Sequence, residues 1–220
     1  MDKIRLFNGE SLEGWEGSGT VFRAENGAII GGSLEKPLDE SSYLCTEQSY
    51  DNFNLTLSAK FITHGANING GISFRAQRVP NSNEVMGYQA DLGYIDSNAV
   101  PIFSDYTPAD TTGFYPLWGS LVDENREDIS RYPRPDVFPA IILRVANKEL
   151  VEGIIDPYDW NEINIKASGS EIELRVNGDL TAEFTETLEV PSSGRICLQA
   201  HSGGPYEVWS QDLVLNQSEQ

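Results

Sequence analysis

The sequence predicts an all-β protein: a two-sheet antiparallel sandwich of jelly-roll type, folded as a single domain over residues 1–220. Three observations carry this reading. Apolar residues recur mainly with period two, and no long stretch keeps the spacing of an amphipathic helix. Turn formers, 20 Gly and 11 Pro, punctuate the chain at short intervals, which suits many antiparallel strands. The length of 220 residues is within reach of one all-β domain, and neither an internal repeat nor a low-complexity tract divides it.

The elements follow in order. Asn26-Gly27 marks a hairpin joining residues 21–24 to 28–30. The clearest strand covers 53–62, with Phe53, Leu55, Leu57, Ala59 and Phe61 on one face and Asn54, Thr56, Ser58 and Lys60 on the other. Between 101 and 139 the pattern breaks down into Pro, Asp, Tyr and Gly; a loop this long is functional or disordered, with a short surface helix expected at 123–131. Residues 162–167 and 171–176 alternate again, and Asn177-Gly178 leads into a partner strand at 180–184.

Composition narrows the function. At 39% hydrophobic the chain can build a core, and no run approaches the ~20 apolar residues of a membrane span, so membrane insertion is not expected. Fifteen basic against 34 acidic residues give a net charge of -19, which repels phosphate backbones and excludes nucleic acid as a partner. Such a surface tolerates neutral sugars and divalent cations. Cys45 and Cys197 have no zinc-ligand spacing. One long-range disulfide and two buried thiols are both open, and the differing faces read for the two residues predict free thiols. From Met1 the chain runs directly into folded-looking sequence, compatible with an intracellular protein or a mature exported one.

Three strands share an unusual polar face. Core-facing Ile72 and Phe74 leave Ser73 and Arg75 on the other side, and Tyr88, Ala90 and Leu92 leave Gln89 and Asp91. Ile196, Leu198 and Ala200 leave Cys197, Gln199 and His201. Planar forks and amides of this kind suit hydroxyl and carbonyl groups better than the Glu, Lys and Thr of a solvated strand.

Ordered segments resemble a known family. They are Leu6-Phe7-Asn8-Gly9 with Leu12-Glu13-Gly14-Trp15, Asn69-Gly70-Gly71-Ile72-Ser73-Phe74-Arg75, Gly87-Tyr88-Gln89-Ala90-Asp91 and Trp118-Gly119-Ser120-Leu121-Val122-Asp123-Glu124. Asp159-Trp160-Asn161-Glu162 and Leu198-Gln199-Ala200-His201-Ser202-Gly203-Gly204 complete the order. Together they are similar to the 3-keto-disaccharide hydrolase domain family (DUF1080), which implies the concanavalin A-like lectin/glucanase type of sandwich. Gly70 departs from the family's usual Ser, and Val122 stands where Tyr is common.

The resemblance implies cleavage of a glycoside already oxidised at C3, and a periplasmic or extracellular location. The ketone acidifies the C2 proton; a base removes it, the C1 oxygen departs, and water adds to the unsaturated sugar. A base, an electrophile for the C3 oxygen and a proton donor are then required, rather than the paired carboxylates of direct glycoside hydrolysis. The catalytic candidates are Asp91 or His201 as base, Arg75 as electrostatic clamp, and Glu124 as the next base to consider. Gln89, Gln199, Tyr88 and Trp118 are the substrate-binding candidates. Asp123 and Glu124 form an alternative site for a divalent cation such as calcium. A non-catalytic carbohydrate-binding module, and an interaction domain with an acidic surface, are the competing functions.

Overall fold

The computed structural model describes residues 2–64, 68–96, 114–126 and 140–217. In chain order the strands are β1 (Asp2–Arg5), β2 (Trp15–Glu16), β3 (Phe22–Glu25), β4 (Ala28–Ser33), β5 (Ser42–Thr46), β6 (Phe53–Thr63), β7 (Asn69–Arg78), β8 (Val85–Asp96), β9 (Phe114–Pro116), β10 (Leu121–Glu124) and β11 (Ala140–Arg144). A helix α1 (Lys148–Ile154) precedes β12 (Asn161–Ser168), β13 (Glu171–Val176), β14 (Asp179–Thr185), β15 (Arg195–Ala200) and β16 (Tyr206–Gln217). All strand pairings are antiparallel among the described residues. The back sheet runs β14-β13-β12-β6-β16-β4-β3 with β1 beside β16; the front sheet runs β11-β10-β8-β7-β15-β5-β2 with β9 beside β8. No helix of the described residues is long and apolar enough to cross a membrane.

The core lies between the sheets. Phe53, Leu55, Leu57, Ala59 and Phe61 of β6 are buried on alternate positions as the period predicts, and meet Ile72, Phe74, Tyr88, Ala90 and Leu198 of the front sheet. Phe74 stacks on Tyr88 with centroids 5.5 Å apart, and Phe61 meets Trp118 edge-on at 5.8 Å. Both Asn-Gly turns form, with Asn26, Gly27, Asn177 and Gly178 all at positive φ, as a type I′ turn demands. The helix is one short segment capped by Asn147, whose Oδ1 accepts from the Leu150 amide at 2.9 Å.

Two expectations are corrected here. Asp123 and Glu124 belong to strand β10 rather than to a surface helix; the rest of the loop reading, at 101–113 and 127–139, lies outside the described residues. Cys45 and Cys197 are not free thiols but a disulfide. They stand directly opposite each other where β5 pairs with β15. Cys45 shares the face of Cys197 because Leu44, its neighbour, points into the core.

Of the register slips in the front sheet, the one between β7 and β8 shapes its outer face. The β7–β8 ladder is regular up to Phe74↔Tyr88, slips, and resumes at Gln77↔Met86 and Arg78↔Val85. At the slip Arg75 takes φ 48°, and Gly87, opposite, takes φ 153°, where a Cβ would lie 2.8 Å from Ala76 Cα. Beyond it the hairpin tip folds over the sheet. Val85 packs with Tyr43, Ala76 and the disulfide, and Arg78 donates from Nη2 to the Tyr43 carbonyl at 2.9 Å.

Candidate active site

Register lays polar side chains in two rows across the outer face of the front sheet. Asp91, Gly71, Gln199 and Tyr43 are successive partners on β8, β7, β15 and β5; Val122, Gln89, Ser73, Cys197 and Cys45 form the next row. Alternation alone explains why these residues share a face, since Ile72, Ala90, Leu198 and Leu44 between them enter the core. Glycine at 71 decides how the rows join. A Cβ there would fall 2.7 Å from Gln89 Nε2, so the Gln89 amide lies across the space that a side chain would occupy.

From that position Gln89 is the hub of a buried network. Its Oε1 accepts from Ser73 Oγ at 2.7 Å. Its Nε2 donates to Asp91 Oδ1 at 2.7 Å and Gln199 Oε1 at 3.2 Å, with Glu124 Oε1 at 3.5 Å. Gln199 Nε2 donates onward to the Tyr43 hydroxyl at 2.7 Å, and the Glu84 carboxyl, brought over by the hairpin tip, lies beside that hydroxyl. Asn125 lies near Glu84 and anchors its Nδ2 on the Val85 carbonyl at 2.8 Å. The chain of hydrogen bonds thus runs from Glu124 on β10 to Tyr43 on β5, with Glu84 beside its far end.

Burial governs the protonation of these carboxyls. It pushes Asp91 up to about 7, against the opposing effect of the Gln89 hydrogen bond. Glu124 is raised well above the ordinary range, first by burial and then by the charges of Asp91, Glu84 and Asp123. Glu84 is raised by burial and lowered by Tyr43, His201 and Asn125. The face therefore offers one carboxyl that changes state near neutrality and a neighbour that burial and the surrounding charges bias towards its protonated form. A base beside a neutral hydrogen-bond donor is the combination that proton abstraction next to a carbonyl uses.

The structure sorts the sequence candidates. Asp91, Gln89, Gln199 and Glu124 come together in the network. His201 lies one residue beyond β15, half-buried, with Nδ1 2.8 Å from the Ser202 carbonyl. Arg75 is elsewhere: Nε and Nη2 bind the Asp51 carbonyl at 3.0 and 2.9 Å and Nη1 the Gly169 carbonyl at 2.7 Å. The positive φ at the slip breaks the parity that predicted it would share the face, so it clamps loops instead of substrate.

Tyr88 and Trp118 are also displaced from the predicted role, because both are fully buried between the sheets. The Tyr88 hydroxyl donates to Glu186 Oε2 at 2.5 Å, and the Arg126 guanidinium sits 4.3 Å above its ring. Asp123 and Glu124 cannot share a cation, since consecutive strand residues point to opposite faces. Asp123 lies in the core 3.2 Å from Arg126 Nε, while Glu124 joins Gln89 outside. No cluster of three or more metal-ligating side chains occurs among the described residues.

Three members of the site escaped sequence reasoning: Tyr43, Ser73 as a hydrogen-bond donor to Gln89, and Glu84. Tyr43 had a signal, because Tyr43 and Cys45 flank core-facing Leu44. Glu84 had none, since it precedes β8 and reaches the face only through the folded hairpin.

Comparison with known structures bears on the fold. A candidate glycosyl hydrolase from Parabacteroides distasonis superposes with a TM-score of 0.66 at 16% identity, covering 99% of this chain and 94% of that one. A second from the same organism gives 0.62 at 17% identity, covering 99% and 100%. The carbohydrate binding module CBM66 from Bacillus subtilis gives 0.60 at 14% identity, covering 94% and 95%. At these identities the likeness establishes the lectin-like sandwich fold. No curated protein sequence matches the chain. The model of the 3-keto-alpha-glucoside-1,2-lyase-like domain, however, matches residues 2–214, and the chain belongs to that family.

Proposed function

We propose that the protein cleaves 3-keto-glycosides by elimination across C1–C2 followed by hydration. The observation that carries this is the pairing of Asp91 with Glu124 through the Gln89 amide on the outer face of the front sheet. Asp91 takes the C2 proton. The Glu124 carboxyl, which burial biases towards its protonated form, donates a hydrogen bond to the C3 oxygen as negative charge gathers there. Gln89 and Gln199 orient the sugar hydroxyls, and Ser73 and Tyr43 fix the two amides. The family membership and the glycosyl hydrolase-like neighbours support a carbohydrate substrate.

A chromogenic 3-keto-glucoside tests the reading. Release of the aglycone from it, with none from the unoxidised glucoside, is the expected result; equal cleavage of both, or of neither, sinks it. The likeness to a carbohydrate binding module favours one competing reading, sugar binding without turnover. Saturable binding of the 3-keto-glucoside with no aglycone release identifies that case.

A further inference from the structure

Resting on the elimination reading, we propose that Glu84, carried over the front sheet by the folded tip of the β7–β8 hairpin, is the general acid that protonates the departing glycosidic oxygen. Elimination needs a proton donor on the side of C1, separate from the base at C2 and the donor at the C3 oxygen, and Asp91 and Glu124 already occupy adjacent points beside Gln89. Glu84 stands at the other end of the network, beside Tyr43 and next to Val85, which packs on Tyr43 and whose carbonyl accepts from Asn125 Nδ2 at 2.8 Å. It is half-buried, so its carboxyl has access to a bound ligand, whereas Tyr43 is buried beneath it. Several independent features keep it there. The slip with φ 48° at Arg75 turns the hairpin over the face, Arg78 ties the tip to the Tyr43 carbonyl and to Glu16, and Val85 packs on the disulfide. A tip with only a connecting role would not require this anchorage.

The step balances within the residues named. The C2–H bond breaks and its proton goes to Asp91. Its electron pair becomes the C1–C2 double bond by way of the C3 enolate. The C1–O bond breaks, its electrons leave on the aglycone oxygen, and that oxygen takes the proton of Glu84. In the second half Glu84, now a carboxylate, removes a proton from water as the water oxygen bonds C1, and Asp91 returns its proton to C2. Both carboxyls recover their starting states, and the sum is hydrolysis of one glycosidic bond.

The test compares leaving groups. With wild-type protein and Glu84→Gln, turnover is measured on 4-nitrophenyl 3-keto-glucoside, whose aglycone leaves without help, and on methyl 3-keto-glucoside, whose alkoxide does not. Glu84→Gln is expected to lose roughly 10²–10⁴-fold on the methyl substrate and less than about tenfold on the nitrophenyl one. Tyr43→Phe, which removes the hydroxyl beside Glu84, is expected to show the same asymmetry at smaller size. Equal losses on both substrates, or none on either, overturn the assignment of Glu84 while leaving the elimination reading intact. Wild-type protein inactive on both substrates overturns the reading itself and the assignment with it. A melting curve of each variant, unchanged within a few degrees, certifies that the fold is kept.

Discussion

Replacing Asp91 by Asn is expected to stabilise the protein above neutral pH while removing its activity. Asp91 is raised by burial from 3.8 to about 7. In the unfolded chain it loses its proton near 3.8, so between there and about 7 the folded state binds the extra proton. The sign follows. This group's contribution to stability is full below the unfolded value and is lost as pH rises through the folded one. At about 1.36 kcal/mol per unit the loss amounts to about 4 kcal/mol by pH 8. Asn carries no such term, and its Oδ1 still accepts from Gln89 Nε2. For a chain of this size 1 kcal/mol moves the melting temperature by roughly 2–4 °C, so Asp91→Asn should melt about 10 °C above wild type at pH 8 and level with it below pH 4. Thermal melts of both proteins at one-unit pH steps give the difference curve, in which all other titrations cancel. A flat difference, or a variant less stable at pH 8, would refute the buried-acid argument. Turnover should fall roughly 10²–10⁴-fold in the same variant.

Other expectations follow from the same geometry. Gly71→Ala places a Cβ 2.7 Å from Gln89 Nε2 and must expel that amide from the network, so turnover should fall at least tenfold with a melting temperature lowered by only a few degrees. Thiol titration of the denatured, unreduced protein should find no free thiol, and Cys45→Ala with Cys197→Ala should cost about 2–4 kcal/mol in denaturant melts. Arg75→Lys loses the fork shared by the Asp51 and Gly169 carbonyls and should lower stability by about 1–3 kcal/mol, without raising KM beyond what misfolding explains. With Asp91 as base, kcat/KM on the nitrophenyl substrate, whose aglycone leaves without an acid, should rise with pH and level off above about 7; a limb near the ordinary carboxylate range would point to an exposed base instead.

How far the sequence could be read depends on the range of the signal. Alternation in β6 and the two Asn-Gly turns are local, and each resolves as its residues predict. Parity also works wherever a strand keeps its pleat, and so Gln89, Asp91 and Gln199 were legible as one face. It fails at Arg75, where one residue of positive φ reverses the alternation, a change that no neighbouring residue type announces. The disulfide depends on β5 lying beside β15, two strands separated by most of the chain; strand order is a property of the whole fold. Trp118 and Tyr88 are ambiguous by chemistry, because an aromatic ring serves a core as well as a sugar, and only the packing against Phe61 and Phe74 assigns them. Glu84 requires both the slip in β7 and the crossing of the hairpin over β5, and neither is encoded near it.

The central claim is that the front-sheet carboxyls remove a proton from C2 of an oxidised sugar. The direct measurement is turnover of 4-nitrophenyl 3-keto-glucoside carrying deuterium at C2, followed for aglycone release and for the label in the sugar product. Elimination by this site predicts slower release from the deuterated substrate than from the protiated one, with the label carried on Asp91 and lost from C2 to the extent that this carboxyl exchanges with water before it returns its proton. Identical rates with the deuterium retained would contradict it, because the C1 bond would then be breaking with the C2 proton still in place.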